Sequence, residues 1–347
     1  MWVFFVELGF GWWKQKEEMK FGCAFREYLE EEKELMLDKK CAHIEYLRLK
    51  KVLKSCQGCK ELHTCSDSEL GQNQLCQCQS CSLCDQKFFS ELMKEASDIV
   101  EYFNSRVSHI LHLHIATGMK SYVLRLRQCF RDDRQDLAEE GGILIEYIAM
   151  NAIAMRKILK KYDKVHNSVN GENFKSRMLA EHIELLHTPL LIELGAFYLN
   201  SSGLDGCELD GIRGRFSCDL NITEAVITMT LPDSIKLEYN LTCAICLDYV
   251  FNPYALACGH MFCKSCACTA ASVMIFEGLK FASPESKCPI CREVGVYSKP
   301  MRMLELNLLI KRRCREYWKE RLTVERSETV KQVKEYWNMQ STYATGF

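Results

Sequence analysis

Eight metal-binding side chains fall in four pairs between residues 243 and 291, and nothing else in the 347-residue chain limits its fold so tightly. The pairs are Cys243-x2-Cys246, Cys258-x-His260, Cys263-x2-Cys266 and Cys288-x2-Cys291. Ligands this close in sequence can be offered to one tetrahedral ion by a single tight turn. Eight of them fill two four-coordinate sites and leave no position for water, which marks structural rather than catalytic zinc. The segment holds few large apolar residues, so metal has to supply folding energy, roughly 10–16 kcal/mol for structural zinc in small peptide domains. The competing reading is a set of ordinary buried thiols, and eight ligands in order argue against it. Spacing alone does not say which pairs share an ion.

Cysteine is abundant elsewhere too, with 21 in the chain. Disulfides would need an oxidising compartment. The stretch Met1–Trp13 is apolar but lacks the basic flank and small-residue cleavage pattern of a leader. It also carries Glu7 and is shorter than the ~20 apolar residues that span a bilayer. Gly142–Met155 is apolar but broken by Glu146 and Asn151. No membrane span and no secretion are expected. The expected location is a reducing compartment, the cytoplasm or the nucleus, where paired cysteines bind metal by default. The net charge of −1 sets up no overall field toward nucleic acid. The helix beside the cluster lacks basic residues as well, so no nucleic-acid partner is expected.

An apolar fraction of 48% in a chain of this length leaves room for two domains. Residues 1–18 read as an N-terminal extension. Over 19–200 the pattern is helical and nearly free of proline. Phe88, Leu92, Ala96, Ile99, Phe103, Val107 and Ile110 keep one face for over six turns, and Leu144, Ile148, Ala152, Met155 and Leu159 keep another. A cysteine-rich polar insertion, about 56–84, interrupts this bundle. Its seven cysteines with His63 leave free thiols and a further zinc site both open. Residues 201–240 read as a linker with a short β hairpin around Pro232-Asp233, 241–295 as the zinc-bound segment and 300–340 as a charged helix. The expected fold is mostly α: a helical bundle, a short β segment, a small α+β zinc finger and a C-terminal helix. Self-pairing of that helix into a homo-oligomer stays open, since its apolar stripe is short.

Two basic clusters lie on helical stretches. Tyr46, Lys50 and Lys54 recur every four residues, and Lys157, Lys160, Lys161 and Lys164 recur at steps of three and four. Such spacings place like charges on one helix face, where they repel unless an anion neutralises them. The set suits phosphate, and a solvated helix face is the plain alternative.

With histidine as the fourth ligand, the string resembles the RING finger; a PHD finger would have histidine fifth. The resemblance implies an interleaved arrangement. Cys243, Cys246, Cys263 and Cys266 would hold one zinc, and Cys258, His260, Cys288 and Cys291 the other. It implies a ubiquitin ligase that recruits a ubiquitin-conjugating enzyme carrying ubiquitin. Ile245 and Pro289 would touch that enzyme. Arg292 would be the linchpin, hydrogen-bonding enzyme and ubiquitin together, a task that suits the guanidinium fork. The ligase then works by orienting a reactive thioester and needs no nucleophile of its own. The tryptophan that many family members carry after the sixth ligand is absent from Ala267-Cys268-Thr269-Ala270-Ala271-Ser272.

Met19-Lys20-Phe21-Gly22, the stretch Tyr46–Lys54 and the run Arg156–Lys164 resemble the SPX domain, a helical bundle that binds inositol pyrophosphates. By this resemblance Tyr46, Lys50 and Lys54 form one side of the pocket and Lys157, Lys160, Lys161 and Lys164 the other. SPX followed by RING is similar to the plant ubiquitin ligases of the nitrogen limitation adaptation type, over about residues 19–340. That implies membrane transporters of phosphate and nitrate as substrates, action at the plasma-membrane periphery, two structural zinc ions and an inositol pyrophosphate as regulatory ligand. The alternative reading is a catalytically inactive SPX–RING adaptor or phosphate-status sensor.

Overall fold

The computed structural model describes residues 21–35, 41–55, 82–124, 129–166, 168–180, 183–201, 216–220, 225–230 and 236–345. The N-terminal extension and most of the cysteine-rich insertion lie outside them. The chain divides into two compact units, Met1–Thr188 and Pro189–Phe347.

The first unit is helical: α1 (Phe21–Leu35), α2 (Tyr46–Ser55), α3 (Ser82–Leu124), α4 (Cys129–His166) and α5 (Asn170–Ala180). The stripe Phe88, Leu92, Ala96, Ile99, Phe103, Val107 and Ile110 is buried along α3. It meets Leu144, Ile148, Ala152, Met155 and Leu159 of α4. Their steps of three and four residues follow the helical period, so each helix turns one continuous apolar face inward. The short helices are fixed by polar contacts. Asn151 accepts the Ile44 N–H at 2.9 Å and donates to the Tyr147 carbonyl at 2.9 Å. Arg48 on α2 reaches Glu91 and Glu95 of α3 at 2.8 and 2.7 Å. Gly22 lets α1 approach α2 closely, because a Cβ there would stand 3.0 Å from Leu47 and 3.3 Å from the Tyr46 ring.

The second unit begins with α6 (Pro189–Ser201). Against it lies an antiparallel sheet of β1 (Phe216–Leu220), β2 (Ala225–Thr230) and β3 (Lys236–Asn240). Cys218 pairs with Ile227 and Ile227 with Tyr239, and all three are buried. The sheet has one strand more than the hairpin expected. In β1 only Phe216, Cys218 and Leu220 alternate, behind a run of glycine, serine and aspartate that reads as linker.

A second small sheet combines β4 (Pro253–Ala255), β5 (Met261–Cys263) and β6 (Met301–Arg302), with α7 (Lys264–Ala270) following β5. The expected single C-terminal helix is two: α8 (Leu304–Arg313) and α9 (Arg315–Thr345). Cys314 leaves helical geometry at φ −121°, ψ 62°. The helices answer to different partners. Buried Glu193 of α6 accepts the Glu305 and Leu306 N–H groups at 2.6 and 3.1 Å, filling the open donors at the start of α8. Asn200 and Arg312 tie the same two helices further along. Helix α9 packs on the zinc-finger loops, which α8 touches as well where Asn307 accepts the Asn252 N–H at 3.2 Å.

Candidate metal centre

The first pair of ligands sits in a tight turn. The Cys243 N–H bonds the Asp248 carbonyl at 2.8 Å, and Leu247 returns its N–H to the Cys243 carbonyl at 2.8 Å. Leu247 takes φ 61°, the left-handed conformation that closes such a turn. Cys263 ends β5, and Cys266 lies in the first turn of α7. These elements bring the sulfurs of Cys243, Cys246, Cys263 and Cys266 within 4.8 Å of one another. Cys246 and Cys263 are 3.7 Å apart. Thiolates about 2.3 Å from a tetrahedral zinc stand about 3.8 Å from each other, so the cage fits that ion. The Phe251 N–H also points at the Cys263 sulfur, at 3.2 Å.

The second cluster gathers Cys258, His260, Cys288 and Cys291 within the same limit. Gly259, at φ 82°, reverses the chain so that residues on either side of it face one point. His260 Nδ1 stands 3.4 Å from the Cys258 sulfur and 3.6 Å from that of Cys288. Cys288 opens a turn like the first. Its N–H bonds the Glu293 carbonyl at 2.9 Å, and Arg292 donates to the Cys288 carbonyl at 2.9 Å with φ 62°. The grouping interleaves along the chain, first pair with third and second with fourth. Leu241, Val250, Phe251, Phe262, Ala267, Ile275 and Leu279 are buried around the two clusters.

Both cysteine turns carry exposed apolar side chains. Ile245, Leu247 and Ile290 are exposed, as are Pro289 and Arg292. Cys268, the spare thiol, is fully buried, and burial pushes its pKa up to about 11. A thiol so held offers no route for covalent transfer.

The basic residues divide between two features. Lys157 Nζ stands 4.4 Å over the Phe21 ring, and Phe21 meets the Tyr46 ring edge-on at 5.1 Å, so α1, α2 and α4 converge there. Burial raises the Tyr46 phenol above its ordinary value. Lys50 and Lys161 are half-buried and Lys164 is exposed. Lys160 lines a different feature, a cavity of about 410 Å³ between α4 and α5, with Arg156, Asp163 and Lys175. Lys54 lies on α2, but its side chain is outside the described residues. Sequence reasoning missed Arg321 of α9. Its guanidinium stands 3.9 Å from the Cys246 sulfur. No local signal marks it, because an arginine in a highly charged helix reads as solvated. Among the described residues no helix is long and apolar enough to cross a membrane.

Comparison with known proteins agrees with this geometry. Residues 243–279 match the RING-type zinc-finger model. The chain is 58% identical over 339 residues to a probable E3 ubiquitin-protein ligase BAH1-like of Arabidopsis thaliana, covering 95% of this chain and 100% of that one. It is 53% identical to the probable E3 ubiquitin-protein ligase BAH1-like 1 of Oryza sativa subsp. indica, over 94% of this chain and 100% of that one. It is 41% identical to the E3 ubiquitin-protein ligase NLA of Arabidopsis thaliana, again over 94% and 100%. No solved structure matches the chain. With its zinc-finger residues clustered as a RING requires and its relatives matched along nearly the whole length, the chain belongs to the plant NLA and BAH1-like family of RING-type E3 ubiquitin-protein ligases.

Proposed function

We propose that this ligase couples ubiquitin transfer to nutrient status. The finger, folded around two structural zinc ions, docks a charged ubiquitin-conjugating enzyme on Ile245 and Pro289. Arg292 spans that enzyme and ubiquitin and holds the thioester for attack by a substrate lysine. The helical unit is the sensor, an SPX domain that binds an inositol pyrophosphate through Tyr46, Lys50, Lys54, Lys157, Lys161 and Lys164, with Lys160 turned to the neighbouring cavity beside α5. The substrates are phosphate or nitrate transporters, reached from the cytoplasm at the membrane periphery.

What supports the sensor reading is the junction at Phe21. Its ring bridges Tyr46 on one helix and Lys157 on another, so donors from both basic clusters face one region. Point-charge ammonium groups with a phenol donor suit a polyphosphate. The test is ubiquitination by purified zinc-loaded protein, with and without inositol pyrophosphate. Activity that changes with the ligand supports the coupling. Activity indifferent to it leaves the ligase and removes the sensor. No activity with any conjugating enzyme would make the chain an adaptor.

A further inference from the structure

We infer that Arg321 of α9 is the charge partner of the four-cysteine zinc site and that the C-terminal helix is thereby a working part of the finger. Four thiolates around one divalent ion leave about two net negative charges. Such a centre, partly sheltered from water, needs a neighbouring donor or cation, and metal sites are tuned by such neighbours. Backbone donors reach it, the Phe251 N–H on Cys263 at 3.2 Å among them, but they carry no net charge. The cation is Arg321, with Nη2 3.9 Å from the Cys246 sulfur.

The helix is built to put it there. Tyr317 rests against Tyr249 at 5.2 Å between centroids and donates its hydroxyl to the Tyr249 carbonyl at 2.5 Å. Trp318 lies on Phe251 at 5.7 Å, and Glu325 accepts from Asn252 at 2.7 Å. These anchors sit a turn on either side of Arg321 and clasp the segment that leads to the sulfur-bonding Phe251 N–H. Asp248 does not explain the placement. It stands 3.9 Å from Nη1 with its side chain 53% exposed, and exposed pairs of this kind contribute about 0–1 kcal/mol. Arg321 is only 22% exposed, and its Nε is buried without a hydrogen-bond partner. A guanidinium under that constraint is held for its charge and its orientation. Arg321 is therefore a positioning residue. It acts on the first zinc loop, which carries Ile245 and Leu247, by keeping that loop's metal in place.

The experiment follows each zinc separately in the full-length, metal-loaded protein. Release to a chelator is measured, and the sites are told apart by cadmium NMR of the cadmium-substituted protein, where all-thiolate and imidazole-bearing sites resonate apart. Arg321→Met keeps the apolar stem and removes the charge. It is expected to speed loss from the four-cysteine site by about tenfold, the lower end for outer-shell changes. The site containing His260 should stay within about twofold of wild type. Arg321→Lys should recover part of the loss, and Asp248→Asn should leave both sites unchanged. Equal release from Arg321→Met and wild type would overturn the proposal. So would equal acceleration at both sites, which would make Arg321 a general anchor of the helix. Were Arg321→Met to fail to fold, Arg321→Gln, polar and uncharged, carries the same comparison.

Discussion

Leu247 and Arg292 hold the same place in two matching turns. Each directly follows the second cysteine of a Cys-x2-Cys pair, at φ 61° and 62°. Each returns its N–H to the carbonyl of the first cysteine, at 2.8 and 2.9 Å. The backbone treats the two alike, and only the side chains differ. Replacing Arg292 with alanine leaves the turn and removes a charged donor. Hydrogen bonds to charged groups contribute about 1.5–3 kcal/mol, so ubiquitin discharge from the conjugating enzyme should slow by about tenfold or more. Zinc content should not change. Discharge at the wild-type rate would remove Arg292 from the mechanism.

Metal removal should unfold the finger rather than loosen it. The zinc contribution of roughly 10–16 kcal/mol matches or exceeds the 5–15 kcal/mol that holds a typical domain together. Amide exchange measured after chelation should show residues 241–300 unprotected while the stripe Phe88–Ile110 on α3 stays protected. Retained protection in the finger would contradict a structural role for the metal.

Glu193 gives the second unit a pH dependence. Burial pushes its carboxyl up to about 8, and this outweighs the backbone N–H groups of Leu304, Glu305 and Leu306 that favour the ionised form. Between its ordinary value of 4.5 and about 8 the folded chain keeps a proton that the unfolded chain has lost. Stability should therefore fall as pH rises through that window, by on the order of a few kcal/mol in total. Denaturant melts from pH 6 to 8.5 measure the slope, and Glu193→Gln should flatten it. An equal slope in the variant would mean other groups set it.

In the helical unit, Lys157→Ala should weaken inositol pyrophosphate binding by about tenfold at low salt and make it less salt-dependent, as expected when one charge contact is lost. Lys160→Ala should matter less, since Lys160 lines the cavity beside α5. Isothermal titration of both variants tests the difference, and equal losses would place both lysines in one pocket.

Much of this was legible in the sequence because it was periodic or local. The buried stripe of α3 follows from steps of three and four residues, and the eight ligands announce themselves by spacing. What stayed hidden depends on contacts distant in sequence. Arg321 acts on a cysteine 75 positions away. Glu193 reads as a lone charge in an apolar helix until the start of α8 is seen to lie on it. Lys157 and Lys160 look equivalent on a helical wheel and part only because α5 packs beside one of them. Strand β1 was missed because strand formation there depends on pairing with β2, and its five residues carry too little pattern alone.

The break at Cys314 sets how the last two helices can move. A continuous helix transmits its axis rigidly, whereas here one residue's two dihedrals redirect everything after it. The chain thus treats Leu304–Arg313 as a foundation, pinned through carboxyl and amide groups, and Arg315–Thr345 as a buttress, braced by aromatic rings and a guanidinium. Loosening the far end of the buttress leaves the foundation's own attachments standing, so α9 should fray from its distal end while the joint, where Trp318 donates to Asn307 at 3.3 Å and lies under Lys311, stays closed.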